Sequence, residues 1–149
     1  METPLVGSLV VPSPTYRATM KTGEGAAILL ATMRGSGKLY YPGTDQTFWV
    51  PMREVRAIPA EAVPTGSLEL FLSSLLRLLE TEECTIDRAD GGSLTLALEI
   101  PSLSRDRLAE LRDLVGDRLV NYALEPRSMR ALQLELQLVS LPRAADTSV

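Results

Sequence analysis

The sequence predicts an α+β protein in two parts. Residues 1–60 read as a small β-barrel. A linker at 61–66 leads to an αββαββ unit over 67–141, with two helices on a four-stranded antiparallel sheet, and 142–149 form a disordered tail. Three observations carry this reading. Six of the ten glycines and six of the ten prolines fall in the first sixty residues, between short apolar runs. Leucines then recur at helical spacing from Leu68. Two later segments, around Leu94 to Ile100 and Leu132 to Leu138, alternate apolar and polar residues with period two.

In the first part the apolar or β-branched runs are Leu5 to Val11, Tyr16 to Met20, Ala26 to Met33, Lys38 to Tyr41, Thr47 to Val50 and Val55 to Ile58. Turn signals separate them at Pro12-Ser13-Pro14, Gly23-Glu24-Gly25, Gly35-Ser36-Gly37 and Pro42-Gly43. Short strands punctuated this regularly by glycine mark a small barrel or sandwich. So short a stretch cannot fill a two-layer sandwich, which leaves a five-stranded SH3-like barrel.

After Pro59 to Gly66 the pattern changes. Ser67 is placed to cap a helix, with Glu69 near its positive end. Leu68, Phe71, Leu72, Leu75, Leu76 and Leu79 form its inward stripe. Glu80 to Glu83 set acid at the helix C-terminus, the wrong sign for the dipole, and predict fraying there. A hairpin follows, with Cys84 to Arg88 and Ser93 to Ile100 flanking Asp90-Gly91-Gly92. Ser104 caps a second helix whose Leu108, Leu111, Leu114 and Val115 face inward, and Gly116 stands where a helix-ending glycine belongs. Leu119 to Leu124 and Leu132 to Leu138 make a last hairpin around Glu125-Pro126-Arg127-Ser128. Each helix-strand-strand unit leaves an apolar face that only packing against the other can bury.

Composition bounds the chemistry. The 149 residues are 45% hydrophobic and 23% charged, with net charge −4, ordinary values for a globular chain that buries a core without disulfides or metals. Residues 1–60 carry six Lys/Arg against four acids and the remainder nine against fifteen, too mild an asymmetry for strong sequence-independent DNA binding. Cys84 is the one cysteine, flanked by acids that oppose thiolate formation, and reads as a buried small hydrophobe in a reducing cytoplasm. No signal peptide or apolar run of membrane-spanning length is visible.

Several motifs fail on inspection. Gly35-Ser36-Gly37-Lys38 resembles the end of a phosphate loop, but Thr32 stands where the first glycine belongs and Leu39 where a Ser or Thr belongs. Without histidine, and with one cysteine, zinc and copper sites lose their usual ligands, and Asp87 with Asp90 lack the length and terminal Glu of a calcium loop. The missing histidine also removes Ser-His and Cys-His nucleophiles. Carboxylates such as Glu69, Glu80, Glu110, Asp113, Glu99 and Glu135 read as solvated charge on polar faces, and Arg105, Arg107 and Arg112 as partners for interleaved acids.

What remains is an aromatic hairpin. Four of the seven aromatics, Tyr40, Tyr41, Phe48 and Trp49, lie within ten residues around Pro42-Gly43-Thr44-Asp45. Alternation sends the members of each adjacent pair to opposite faces, so half should plug a core and about two should be exposed. Tyr16-Arg17-Ala18, Leu39-Tyr40-Tyr41, the turn, Trp49-Val50-Pro51 and Val55-Arg56-Ala57-Ile58-Pro59 follow in an order that resembles Tudor domains, a branch of the SH3-like barrels, over residues 5–60. Thr44 replaces the asparagine that family has after the turn glycine. The resemblance implies an aromatic cage for a methylated cation, made by Tyr16, Tyr41 and Phe48 or Trp49 beside Asp45. It also implies, in a bacterial setting, an accessory module on nucleic-acid machinery.

The expectation is therefore a non-enzymatic, cytoplasmic adaptor or small subunit of a larger assembly, without metal or small-molecule cofactor and away from membranes. Its contact surface comprises Tyr16, Tyr41, Asp45, Phe48, Trp49, Arg53 and Arg56, and its partner is a protein or a second copy of itself. The alternative is a nucleic-acid-binding accessory protein, with Tyr41 or Trp49 stacking on single-stranded RNA or DNA and Arg17, Lys38, Arg53 and Arg56 holding phosphates.

Overall fold

The computed structural model describes residues 3–20, 25–89 and 92–145. It is a mixed α+β chain with two antiparallel sheets. It divides into two compact units, the residues up to Ser74 together with those from Pro142, and Leu75–Leu141. The division falls inside a helix; in the stretch expected as a linker, Ala60–Ala62 make a 3-10 turn and Val63 is buried.

The first unit holds β1 (Leu9–Pro12), α1 (Pro14–Met20), β2 (Ala27–Met33), β3 (Ser36–Tyr41), β4 (Gln46–Pro51), a 3-10 turn (Met52–Glu54) and β5 (Val55–Ala57). Tyr16 to Met20, expected as a strand, is helical. Ser13 supplies the reason: its Oγ accepts from the Tyr16 N–H at 3.3 Å and its carbonyl from the Arg17 N–H at 3.0 Å. Pro14 follows at the first helical position, where its missing N–H costs nothing. The Ser13 hydroxyl donates in turn to Glu54 at 2.5 Å.

The sheet runs β4-β3-β2-β1-β5, and its edges β4 and β5 do not pair, so the small barrel expected from the sequence is not closed. After β4 the Met52 N–H donates to the Gly35 carbonyl at 2.8 Å, and the chain passes over the sheet end to pair β5 with β1 alone. The β2–β3 hairpin closes at Arg34-Gly35, φ 51° and 79°, a two-residue turn one position earlier than the glycine-rich stretch suggests. Ser36 and Gly37 thereby join β3. The core comprises Val10, Ala27, Leu29, Leu39, Tyr41, Val50 and Val55, with Tyr16, Phe48 and Met52 half-buried against it. β2 is buried from Ala27 to Ala31 on both faces, as its unbroken apolar run requires.

Helix α2 (Leu68–Leu78) starts as expected, with the Leu70 N–H on Ser67 Oγ. Its end does not fray. Glu80 takes a left-handed φ of 51°, and the Glu80 and Thr81 N–H groups donate to the Arg77 and Leu76 carbonyls, closing the terminus. Glu69, expected in solvent, is only 2% exposed: its carboxylate accepts the Ala145 N–H at 2.8 and 2.9 Å. The Leu68 N–H donates to the Arg143 carbonyl at 2.8 Å. So 142–145, expected as disordered tail, dock on the first turn of α2; 146–149 lie outside the described residues.

The second unit contains β6 (Glu83–Arg88), β7 (Leu94–Ile100), α3 (Arg105–Val115), β8 (Leu119–Ser128) and β9 (Ala131–Leu138), with sheet order β6-β7-β9-β8. Leu94, Leu96, Leu98 and Ile100 are buried and stand opposite Leu138, Leu136, Leu134 and Leu132. Cys84 is buried beside them, opposite Leu98. Ser104 Oγ caps α3 by accepting the Arg107 N–H, and Gly116 ends it at φ 54°. The expected turn residues Asp90 and Gly91 lie outside the described residues. β8 runs through Pro126 to Ser128 instead of turning there, because an edge strand tolerates a proline whose nitrogen faces solvent, and a bulge at Pro126/Ser128 absorbs the irregularity. No helix among the described residues is long and apolar enough to cross a membrane.

Candidate binding surface

The seven residues singled out by sequence separate into three groups. Tyr16, Tyr41 and Phe48 come together, but around the core. Tyr41 is 2% exposed and meets Phe48 edge to face at 5.6 Å and 80°, while Tyr16 packs from α1 onto the same cluster. A ring so covered shows a cation no face, so Tyr41 contributes packing and not a cage wall. Tyr40 is buried as well, at 1% exposed, although it points from the opposite side of β3. Both tyrosines are interior because β3 is covered on both faces over this stretch, which alternation alone does not reveal.

Asp45 forms the second group. It sits at φ 54° in the β3–β4 turn and accepts the Tyr40 hydroxyl at 2.7 Å. The bond satisfies a buried ring's polar end and holds the turn, which explains an acidic residue there without a ligand.

Trp49, Arg53 and Arg56 are the group left on the surface. Trp49 is 50% exposed on edge strand β4, opposite Lys38 in register. Arg53 lies in the 3-10 turn after β4, and Arg56 on β5, the other edge strand, opposite Val11. Both arginines are exposed, and among the described residues neither has an ion-pair partner. One indole and two arginines thus face solvent along the segment that runs from β4 to β5, with the partly exposed Lys38 across from Trp49 on β3. Gly37 seats this segment: a Cβ there would stand 2.6 Å from Met52 Sδ and 2.8 Å from Leu29 Cδ1, so its absence lets the turn bearing Arg53 settle onto the core.

Elsewhere, a shallow open depression on the second sheet is lined by Glu83, Glu99, Arg127 and Gln133, the two carboxylates opposite each other in register. Among the described residues no three His, Cys, Asp or Glu side chains are grouped to hold a metal ion. The sequence reading passed over Val120, Tyr122 and Leu124 on β8, which are 58%, 54% and 44% exposed. The signal was present: period-two apolar residues running into a proline mark an edge strand with an apolar face. Comparison of the chain with family models, curated proteins and solved structures returns no match.

Proposed function

We propose that the protein is a non-enzymatic cytoplasmic adaptor or small subunit of a larger assembly that binds a protein partner through Trp49, Arg53 and Arg56. The observation that carries this is the half-exposed indole followed along the chain by two arginines without acidic partners. Exposed tryptophan and arginine are the residues that supply most interface energy, and keeping both solvated gains a monomer nothing. An SH3-like barrel is the finer fold reading. It takes support from the meander β1 to β4, after which β5 returns to pair with β1, since curling that sheet would draw its edges β4 and β5 together. Affinity purification from the native host with wild type, Trp49→Ala and Arg53→Glu/Arg56→Glu tests the proposal. A partner retained by wild type and lost by both variants supports it; equal recovery on all three refutes it.

Lys38 opposite Trp49 favours a second reading, binding of single-stranded RNA or DNA by stacking on the indole and phosphate contact with Lys38, Arg53 and Arg56. A gel shift over a salt series decides. Binding that weakens with salt and fails in Trp49→Ala supports it, and no shift at low salt removes it.

A further inference from the structure

We propose that the partner of this chain presents an acidic, extended segment to the face of β2, β3 and β4 that carries Met33 and Trp49. This rests on the adaptor function proposed above and names the chemistry that its surface recognises. Register places the surface. Met33, Ser36 and Pro51 stand in one row across the three strands, and Ala31, Lys38 and Trp49 in the next. Leu39 and Val50 alternate with these residues and belong to the core, so both rows point away from it. The same face is covered further along, where Ile28 and Tyr40 are buried opposite each other. It opens at the two rows, with Met33 56% and Trp49 50% exposed. They span about 10 Å across the strands and about 7 Å along them, room for roughly two or three residues of extended chain.

The charge around these rows has one sign. Lys38 lies within them, Arg34 stands in the β2–β3 turn beside Met33, and Arg53 follows Pro51 by two residues. The Met52 N–H bond to the Gly35 carbonyl brings the two arginine-bearing turns together. Arg34 and Arg53 are exposed and Lys38 is half-buried, and among the described residues none has an ion-pair partner. The described acids of this unit are Asp45, Glu54, Glu61 and Glu69. Three of them are engaged elsewhere: Asp45 by the Tyr40 hydroxyl, Glu54 by Ser13 and Glu69 by the Ala145 N–H. Glu61 lies beyond β5 in its own 3-10 turn. Cations left without acids around exposed apolar side chains are complementary to an anionic partner.

The apolar members decide which anion fits. Single-stranded nucleic acid is gripped by successive aromatic rings along a phosphate track. These two rows offer one indole, and its exposed neighbour Met33 has no ring on which a base could stack. A flexible thioether beside an indole instead suits an apolar side chain, and the surrounding cations suit carboxylates on either side of it. The segment this face takes is therefore acidic, with an apolar residue among its acids.

Panning a random-peptide phage library on the immobilised full chain tests this, with Trp49→Ala as the counter-selection. Enriched peptides should carry net negative charge and an apolar residue among their acids. A dye-labelled enriched peptide, followed by fluorescence anisotropy, should bind wild type more weakly as salt rises. Trp49→Ala and Lys38→Glu should each raise its Kd about tenfold or more, and Met33→Ala about threefold. Arg34→Glu combined with Arg53→Glu repeats the charge test at exposed positions, should half-buried Lys38→Glu fail to fold by circular dichroism. Arg130→Glu, the same change of charge in the β8–β9 turn of the second unit, should leave Kd within about twofold. Enrichment of uncharged or basic peptides, no enrichment at all, affinity indifferent to the charge reversals, or an oligothymidine bound more tightly than every enriched peptide would each overturn the proposal. If the native partner is nevertheless lost by Trp49→Ala, the adaptor function stands and only the acidic segment falls; equal recovery of that partner on every variant overturns both.

Discussion

Replacing Gly37 with alanine tests how the first unit is built, because that glycine is required by space and not by backbone angle. In β3 it stands opposite Thr32 and Val50, and an added Cβ meets Met52 Sδ at 2.6 Å and Leu29 Cδ1 at 2.8 Å, both well inside van der Waals contact. The two neighbours differ in how they can yield. Leu29 is fully buried among Val10, Ala27, Leu39 and Val50. Met52 is half-buried and flexible, and can swing outward. Overpacking of a tight core costs about 1–3 kcal/mol, while exchanging a strand glycine for alanine returns roughly 0.5–1 kcal/mol of chain entropy. The expected net loss is about 1–2 kcal/mol. Urea unfolding followed by fluorescence of Trp49, the one tryptophan, reads the loss locally because Trp49 lies on β4, the strand paired with β3. Combining Gly37→Ala with Met52→Ala removes one of the two collisions, so the double variant should lose less than the sum of the single losses. Gly37→Ala as stable as wild type, or strict additivity with Met52→Ala, would refute the steric account.

Three further outcomes follow from local geometry. Glu80→Gly should stabilise the chain by about 0.5–1 kcal/mol, since glycine takes the left-handed conformation without strain. The Glu80–Arg107 ion pair it removes, 3.5 Å long with Glu80 63% exposed, is worth little, so a thermal melt should move upward. Tyr40→Phe should cost about 1 kcal/mol by removing the bond to Asp45 without altering the ring's packing, measured by the same urea titration. Ending the chain after Leu141 should cost about 1–3 kcal/mol, because it strips the Leu68 N–H and the buried Glu69 carboxylate of their partners. Amide exchange at Leu68 should accelerate in that truncation, and unchanged exchange would show that the docking contributes nothing.

Much of this fold was legible because period and capping agree. The leucine stripe of α2, the alternation of β7 and β9, Ser67, Ser104 and Gly116 each encode their role locally. The failures have physical causes too. Tyr16 to Met20 looked like a strand because its apolar residues are few and close, whereas the deciding group, the Ser13 hydroxyl, sits outside the run. The end of α2 looked frayed on charge alone, but two backbone bonds outweigh a solvated acid. The tail looked disordered by composition, yet Arg143 and Ala145 bond through backbone groups that carry no side-chain signature. At the candidate surface, alternation placed Tyr40 and Tyr41 on opposite faces but was silent on whether both faces are covered. Burial of β3 from both sides is a property of tertiary packing.

That double coverage changes what the aromatic hairpin means. Tyr40 and Tyr41 are interior and Phe48 leans on the core, so three of its four rings serve folding and only Trp49 is half-exposed. A binding test that mutates the hairpin wholesale would therefore confuse the two roles. Tyr41→Ala opens a core cavity beneath Phe48 and should cost about 3–5 kcal/mol, abolishing any activity by unfolding. Trp49→Ala removes a half-exposed ring and should shift stability by less than about 0.5 kcal/mol. Only the second variant separates recognition from folding. If it keeps the melting profile of wild type while the partner is lost, the indole acts as a contact. If stability and binding fall together, Trp49 belongs to the packing of the sheet and is no evidence of a contact surface.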